Sequence, residues 1–211
     1  MQLTEKITIS GIDGSGKSTV ASLLKRYFNS KGIKAKIIWF RWRALTLYGL
    51  YLYSRLRELY IKVYISALER RIGIHVFHTD PMAKVLYPYL LFLDLATYYL
   101  INTFLVVFQK VKVIIYDRFF IDALVDIVYS CRSFSRSVLK LYLSAQKKTS
   151  KAIILDINAD LTLQRKKDII SRKEINFKRE IYLMLSKYLQ IPIVDASQDL
   201  ITVVRNTYHV L

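Results

Sequence analysis

Nine residues near the start of the chain have the types and spacing needed to bind a polyphosphate: Gly11-Ile12-Asp13-Gly14-Ser15-Gly16-Lys17-Ser18-Thr19. Three glycines let the backbone curl so that several N–H groups converge on one phosphate, and the positive end of the following helix favours its charge. Lys17 can then reach the outer phosphates, and the Ser18 hydroxyl can ligate a magnesium ion. Because the motif joins an apolar alternating run to a helical one, it predicts a nucleoside triphosphate site. The alternative is a glycine-rich turn with an incidental lysine.

A second pair that could do chemistry, Asp117-Arg118, follows the apolar run from Val111 to Tyr116. A carboxylate at such a strand end is where P-loop enzymes hold magnesium, directly or through water. The adjacent arginine can grip a phosphate through two nitrogens, which a lysine cannot do. The pair strengthens the prediction of a nucleotide site with Mg²⁺, although alone it would also fit a surface ion pair that closes a strand.

The elements that must position these residues are five short segments rich in β-branched and apolar side chains. They predict buried parallel strands at Lys6–Ser10, Ala35–Phe40, Val111–Tyr116, Ala152–Asp156 and Ile191–Asp195. Helix-patterned sequence separates them, so we expect an α/β domain with helices on both faces of a five-stranded parallel sheet. Ligands of such folds bind beyond the carboxyl ends of the strands. Gly11, Arg41, Asp117 and Asp156 lie at or just past those ends, which predicts a single site.

The longest interval between predicted strands is an insertion, residues 43–110, whose pattern predicts two helices. The first is rich in tyrosine, and the segment from Gly73 to Pro81 ends it. Tyrosines at helical spacing favour a core or dimer face over a ligand platform. His75 and His78 lie near Asp80, but a fourth ligand is not evident, so a metal site there is disfavoured. The tyrosines concerned are Tyr48, Tyr51, Tyr53, Tyr60 and Tyr64.

The apolar run from Tyr89 to Phe108 is long enough to span a bilayer. However, Asp94 and Asn102 lie within it, and a predicted strand follows closely. These features favour a helix buried between the sheet and other helices over a membrane span.

Composition limits the remaining choices. At 211 residues the chain suits a single domain, residues 1–211. Its one cysteine, Cys131, excludes an internal disulfide, and a predicted strand begins almost at the N-terminus, so we expect no secretory signal and a cytoplasmic location. The net charge of +17 fits a polyphosphate substrate, nucleic acid or an anionic membrane surface. Nucleic acid stays open as a secondary partner, and a membrane is disfavoured.

In order along the chain, these motifs resemble the thymidylate kinase family of P-loop nucleoside monophosphate kinases. The form of Gly11–Thr19 and the triplet Asp117-Arg118-Phe119 are the specific matches. The looser matches are Leu90-Leu91-Phe92, Leu155-Asp156-Ile157, Leu163-Gln164-Arg165 and Val194-Asp195-Ala196-Ser197. The resemblance implies a P-loop NTPase fold with a helical lid over residues 165–180. It also implies phosphoryl transfer from ATP, with Mg²⁺, to a nucleoside monophosphate, dTMP being the first acceptor to try. Related kinases often pair through helices, so a homodimer is a further expectation.

The resemblance also implies roles for individual residues. On the acceptor side, Asp13 would face the sugar hydroxyl and Arg41 would hold the phosphate. Arg43 is the alternative candidate for the phosphate contact. Asp117 would serve the magnesium shell, and Arg118 would contact the phosphates. On the base side the implied contacts are Arg165 against adenine and Ser197 with Gln198 lining the base from the last loop.

One role that the resemblance implies, neutralising the charge of the transferring phosphate, falls to a residue of the lid. In one branch of the family an arginine inside the P-loop meets the transferring phosphate, whereas this chain has Ser15 there. The charge spread over the moving phosphoryl group must still be neutralised. Arg172 or Arg179 is therefore the expected substitute.

Departures from the family pattern fall on the acceptor side. No arginine follows Leu-Leu-Phe, since the chain continues from Leu93 to Tyr98 without one, and Phe40-Arg41-Trp42-Arg43 replaces the usual Arg-Glu-Pro. Asp122 and Asp126 stand where serine and glutamine are expected. A kinase for a nucleoside or another small hydroxyl compound therefore stays open as an alternative. The surplus positive charge and the apolar insertion leave a second alternative open, a nucleotide-binding interaction protein with little turnover.

Overall fold

The computed structural model describes residues 4–41, 45–65, 70–133, 135–148, 151–165 and 171–211. These residues form seven strands and eight α-helices, numbered in chain order. The strands are β1 (Glu5–Gly11), β2 (Ala35–Trp39), β3 (Tyr60–Ile65), β4 (Arg70–His75), β5 (Val113–Asp117), β6 (Lys151–Asp156) and β7 (Ile193–Asp195). The helices are α1 (Lys17–Ser30), α2 (Leu47–Leu56), α3 (Pro81–Phe108), α4 (Phe120–Cys131), α5 (Arg136–Gln146), α6 (Ala159–Arg165), α7 (Arg172–Leu189) and α8 (Leu200–Val210).

Five strands form a parallel sheet in the order β2-β5-β1-β6-β7. Each of them overlaps one of the five predicted strands, so this prediction is confirmed. The register places Ile9 beside Asp117, Gly11 beside Leu155 and Asp156 beside Asp195. The carboxyl ends of the strands therefore meet at one edge, where the glycine-rich motif of residues 11–19 begins.

Helices cover both faces of this sheet. Helix α1 packs against β2, β5 and α8, while α4 packs against β1, α3, α5 and α7. Right-handed crossovers explain why α1 and α4 lie on opposite faces. The connection from β1 to β2, which contains α1, runs towards the β2 edge of the sheet, whereas the other connections between these five strands run towards the β7 edge. The core is formed by the apolar strands and by inward-facing side chains such as Leu24, Leu91 and Ile127.

The insertion differs from the prediction of two helices. Helix α2 ends at Leu56, and β3 and β4 then form an antiparallel pair in which Tyr60 lies opposite His75. Tyr60 and Tyr64 therefore belong to a strand and not to the tyrosine-rich helix. The physical reason is that Tyr-Ile-Lys-Val-Tyr-Ile alternates β-branched and aromatic residues with a period of two, which favours a strand over a helix.

Helix α3 begins after Asp80, whose carboxylate accepts a hydrogen bond from Ala83 N at 2.8 Å. Its 28 residues are long and apolar enough to cross a membrane, a test that core helices of soluble proteins also pass. The prediction of a buried helix is right only for its first half, where Leu91 and Leu95 are buried. In the second half Val106 is buried, but Leu100, Phe104 and Phe108 are at least 65% exposed, so the sheet and the other described helices leave one side of this stretch uncovered.

Candidate nucleotide-binding site

The loop between β1 and α1 has the backbone shape that the motif predicts. Gly14 and Gly16 have φ angles of 84° and 87°, in the left-handed region that favours glycine. Gly11, at φ 142°, lies against β6 so closely that an added Cβ would meet Leu155 O at 2.4 Å. Because Gly16 precedes α1 and has no side chain to cap it, the N–H groups of the first helical turn are left for an anion.

Lys17 is buried beneath this loop. Its Nζ donates hydrogen bonds to Gly11 O at 2.7 Å and to Ile12 O at 2.6 Å. Burial and, to a smaller extent, the nearby Arg118 charge lower the pKa of Lys17 to about 8, although the carboxylates around it act in the opposite direction. The ammonium group therefore lies in a place where an incoming phosphate would stabilise its charged form.

Ser18 and Asp117 face each other at the mouth of the loop. Ser18 Oγ donates a hydrogen bond of 2.5 Å to Asp117 Oδ2. The other carboxylate oxygen, Asp117 Oδ1, is buried and has no hydrogen-bond partner among the described residues. A serine hydroxyl and a carboxylate with an unused oxygen are the hard ligands that Mg²⁺ takes in phosphoryl-transfer sites, so these residues fit that ion.

Arg118 reaches across the same mouth from the end of β5. Its guanidinium forms an ion pair with Asp13, and its Nη1 lies 4.0 Å from Asp122 Oδ1. Burial alone would lower the pKa of Arg118, but the two carboxylates outweigh it and raise the pKa above its ordinary value. Its backbone, at φ 72°, is left-handed, which is uncommon for an arginine and marks a position fixed by its surroundings.

Asp122 also belongs to this site, and its pairing with Arg118 was not predicted from the sequence. Its Oδ2 accepts hydrogen bonds from Ser10 Oγ at 2.7 Å and Phe119 N at 2.8 Å, and its Oδ1 accepts one from Tyr182 Oη at 2.8 Å. Burial raises the pKa of Asp122, while Arg118 and Lys17 act in the opposite direction. The signal in the sequence was the departure itself, an aspartate where the resemblance implies serine.

A cavity of about 460 Å³ opens above the loop, a volume in the range of small-molecule sites. Residues 13–20 form its floor, Arg118 lies on one side, and Arg165 and Gln198 lie on another. Arg165 Nη1 donates a hydrogen bond to Ala196 O at 2.9 Å, which ties the end of α6 to the last loop. Ser197 Oγ instead donates to Asp195 Oδ1 at 2.6 Å.

Three of the arginines expected to serve the acceptor phosphate or the lid, Arg41, Arg172 and Arg179, do not line this cavity. Arg41 follows β2 and is exposed, whereas Arg43 lies outside the described residues. Arg172 pairs with Asp160 at 2.8 Å on the surface. Arg179 donates two hydrogen bonds of 2.7 Å to the carboxylate of Asp156 at the end of β6. Of the lid region, residues 166–170 are outside the described residues.

Comparison with known proteins bears on the fold. No family model matches the chain, and no curated protein matches it either. Among solved structures, the chain is similar to deoxyadenosine kinase from M. mycoides with bound dATP, with a TM-score of 0.57 and 15% sequence identity over 97% of each chain. A likeness at this identity shows the fold alone. The chain thus shares the α/β fold of that structure, a five-stranded parallel sheet flanked by helices, which confirms the predicted fold class.

Proposed function

We propose that this protein transfers a phosphoryl group from ATP to a nucleoside monophosphate, with dTMP as the first acceptor to test. The observation that carries the proposal is the meeting of Lys17, Ser18, Asp117 and Arg118 at one loop mouth. A nucleotide phosphate chain placed there would meet a lysine, an arginine and first-turn amides together. Phosphoryl transfer depends mainly on such positioning and charge neutralisation.

The described side chains divide the work in this proposal. Lys17 leaves the Gly11 and Ile12 carbonyls and contacts the outer phosphates, where its charge is stabilised. Arg118 exchanges its ion pair with Asp13 for a phosphate oxygen. Ser18 and Asp117 hold Mg²⁺, which would neutralise charge on the phosphate oxygens. Arg165 and Gln198 line the end of the cavity where the base of the donor nucleotide lies.

A phosphorylated acceptor is the part of the proposal that Arg41 supports. This arginine is exposed just past the carboxyl end of β2, on the side of the sheet edge away from Gln198. A guanidinium there can bind a phosphate through two nitrogens. Arg172 and Arg179 are the proposed sources of further positive charge on lid closure, since each pairs with a carboxylate that a phosphate could replace.

A nucleoside acceptor is the second candidate. The likeness to a deoxyadenosine kinase structure favours it, as does the absence of an arginine between Leu93 and Tyr98 on α3. The Arg41→Ala variant separates the two candidates. Acceptor affinity lost in that variant supports a monophosphate, whereas unchanged affinity supports a neutral nucleoside.

A coupled assay for ADP formation tests the proposal against a panel of nucleoside monophosphates and deoxynucleosides, with ATP and Mg²⁺. The matched control is Lys17→Ala, which should abolish turnover because no other residue of the loop supplies a mobile positive charge. No turnover on any acceptor, together with ATP binding, would replace the kinase by a nucleotide-binding interaction protein. Full activity of Lys17→Ala would refute the assignment of the loop.

A further inference from the structure

Helices α4 and α7 are joined by two polar contacts that we call the α4–α7 clasp, formed by Asp122, Asp126, Lys178 and Tyr182. Tyr182 Oη donates to Asp122 Oδ1 at 2.8 Å, and Lys178 Nζ lies 2.8 Å from Asp126 Oδ1. The two aspartates are one turn apart on α4, and their partners are one turn apart on α7. Both aspartates replace the residues that the family resemblance implies, so the clasp is a property of this chain.

Only one half of the clasp reaches the phosphate-binding loop. Asp122 is fully enclosed, and its second oxygen accepts hydrogen bonds from Ser10, the residue that precedes the loop, and from Phe119 N. Arg118 Nη1 lies 4.0 Å from its first oxygen. Asp126, by contrast, has a 40% exposed side chain and pairs with Lys178 on the flank of the two helices.

Arg118 therefore lies between two carboxylates of different kinds. Asp13 belongs to the loop, and its side chain is 34% exposed at the mouth of the cavity. A nucleotide phosphate competes with Asp13 for the guanidinium because both are anions that accept its N–H groups. Asp122 is buried beneath, where a nucleotide cannot replace it. Once a phosphate has displaced Asp13, Asp122 is the carboxylate that still orients the arginine.

We propose that Asp122 is a positioning residue that holds Arg118 ready for the nucleotide phosphates and ties this arginine, through Tyr182, to α7. The inference rests on the proposed function. A long arginine side chain loses rotamer freedom when it is ordered, and an anchor already present in the free protein reduces that loss on binding. Helix α7 also carries Arg179, which Asp156 holds. By binding Tyr182 on the same helix, Asp122 also sets the position of α7 relative to the loop.

The experiment measures ATP affinity by calorimetry with Mg²⁺ present, because this readout does not depend on the identity of the acceptor. The test variant is Asp122→Asn. Its carbonyl oxygen can still accept from Ser10 and Phe119 N while its amide donates to Tyr182 Oη, so shape is kept and the charge is lost. The matched control is Asp126→Asn, which removes the charge from the other half of the clasp; the Asp126 carboxylate acts on the Arg118 charge more weakly than Asp122 does. Unfolding midpoints are recorded for every variant.

We expect Asp122→Asn to weaken ATP binding about tenfold, the effect of losing one charge-assisted contact, and Asp126→Asn to change it less than about twofold. In an Arg118→Lys background, Asp122→Asn should add less than about a twofold effect, because the residue acts through the arginine. Tyr182→Phe, which keeps the carboxylate but removes its link to α7, should weaken binding about threefold and serves as the test if Asp122→Asn does not fold.

The outcomes separate this inference from the proposed function. If the unaltered protein binds no ATP, the proposed function fails. If it binds ATP but Asp122→Asn binds as tightly or more tightly, or if the Asp122→Asn effect persists undiminished beside Arg118→Lys, the positioning role is refuted while the proposed function stands. Equal losses in Asp122→Asn and Asp126→Asn would likewise assign both residues to folding alone.

Discussion

The burial of Lys17 predicts that the proposed binding of ATP weakens as the pH rises. In the free protein the pKa of Lys17 is about 8, because the ammonium is enclosed beneath the loop and lies near Arg118. A bound triphosphate favours the charged form and returns the pKa to a higher value. Lysine is therefore protonated in the complex at pH values where much of the free protein has lost that proton.

The direction and size of the effect follow from linkage. Near pH 7 Lys17 is already largely protonated, so this residue takes up little proton on binding and contributes little pH dependence to the affinity. Above pH 8 the proton must be acquired on binding, so affinity falls as the pH rises. With a free pKa of about 8, roughly one tenth of the free protein is protonated at pH 9, which gives about 0.9 proton taken up per ATP and about tenfold weaker binding than at pH 7.

Calorimetry in pairs of buffers with different ionisation enthalpies measures this proton uptake directly at both pH values. Few other groups interfere, since burial raises the pKa of Cys131 to about 11 and the terminal phosphate of ATP is ionised above about pH 7. Lys17→Arg is the control, because a guanidinium stays protonated throughout this range. Equal proton uptake at pH 7 and pH 9 in the unaltered protein would refute a titrating Lys17 ammonium that ATP returns to its charged form.

Three further predictions concern the metal, the loop and the exposed half of α3. Asp117→Asn should raise the Mg²⁺ concentration needed for half-maximal turnover about tenfold or more, measured by magnesium titration of the coupled assay; an unchanged requirement would remove Asp117 from the metal site. Gly11→Ala should destabilise the protein by about 3 kcal/mol in denaturant unfolding, since its Cβ meets a backbone oxygen, whereas Gly32→Ala, which meets nothing within 4 Å, should cost about 1 kcal/mol. If a homodimer forms through the uncovered apolar stretch of α3, sedimentation should show a dimer for the unaltered protein and for Tyr188→Glu, but a monomer for Phe104→Glu; a monomer in all three contradicts it.

The sheet and the backbone shape of the glycine-rich loop could be predicted from the sequence because each has a local signature. A buried parallel strand is a short run of β-branched residues, and the loop is a fixed spacing of glycines before a lysine. Parallel topology then brings the ends of β1, β5 and β6 together, so residues 100 or more positions apart meet without any further information.

The insertion could not be predicted in the same way, because its pattern fits two periods at once. Tyr60 and Tyr64 are four residues apart, as on a helix face, yet the six residues Tyr60–Ile65 alternate as a strand does. The left-handed Glu58, at φ 54°, ends the helical stretch before them. The local sequence pattern also could not predict which part of α3 is buried. A helix that is apolar on all sides gives no sign of which part its neighbours will cover.

The distribution of charge shows why only part of the site could be predicted from the sequence. The chain has 16 acidic residues against 33 basic ones, and several of the acidic side chains are used inside the protein. Asp80 and Asp94 accept hydrogen bonds from the first turns of helices, while Asp117 and Asp122 are buried at the nucleotide site. Asp94, Asp117 and Asp122 bind partners distant in sequence, so a count of charges along the chain could not reveal their roles. With these carboxylates enclosed, the outer surface keeps an excess of basic side chains, which attracts anionic ligands.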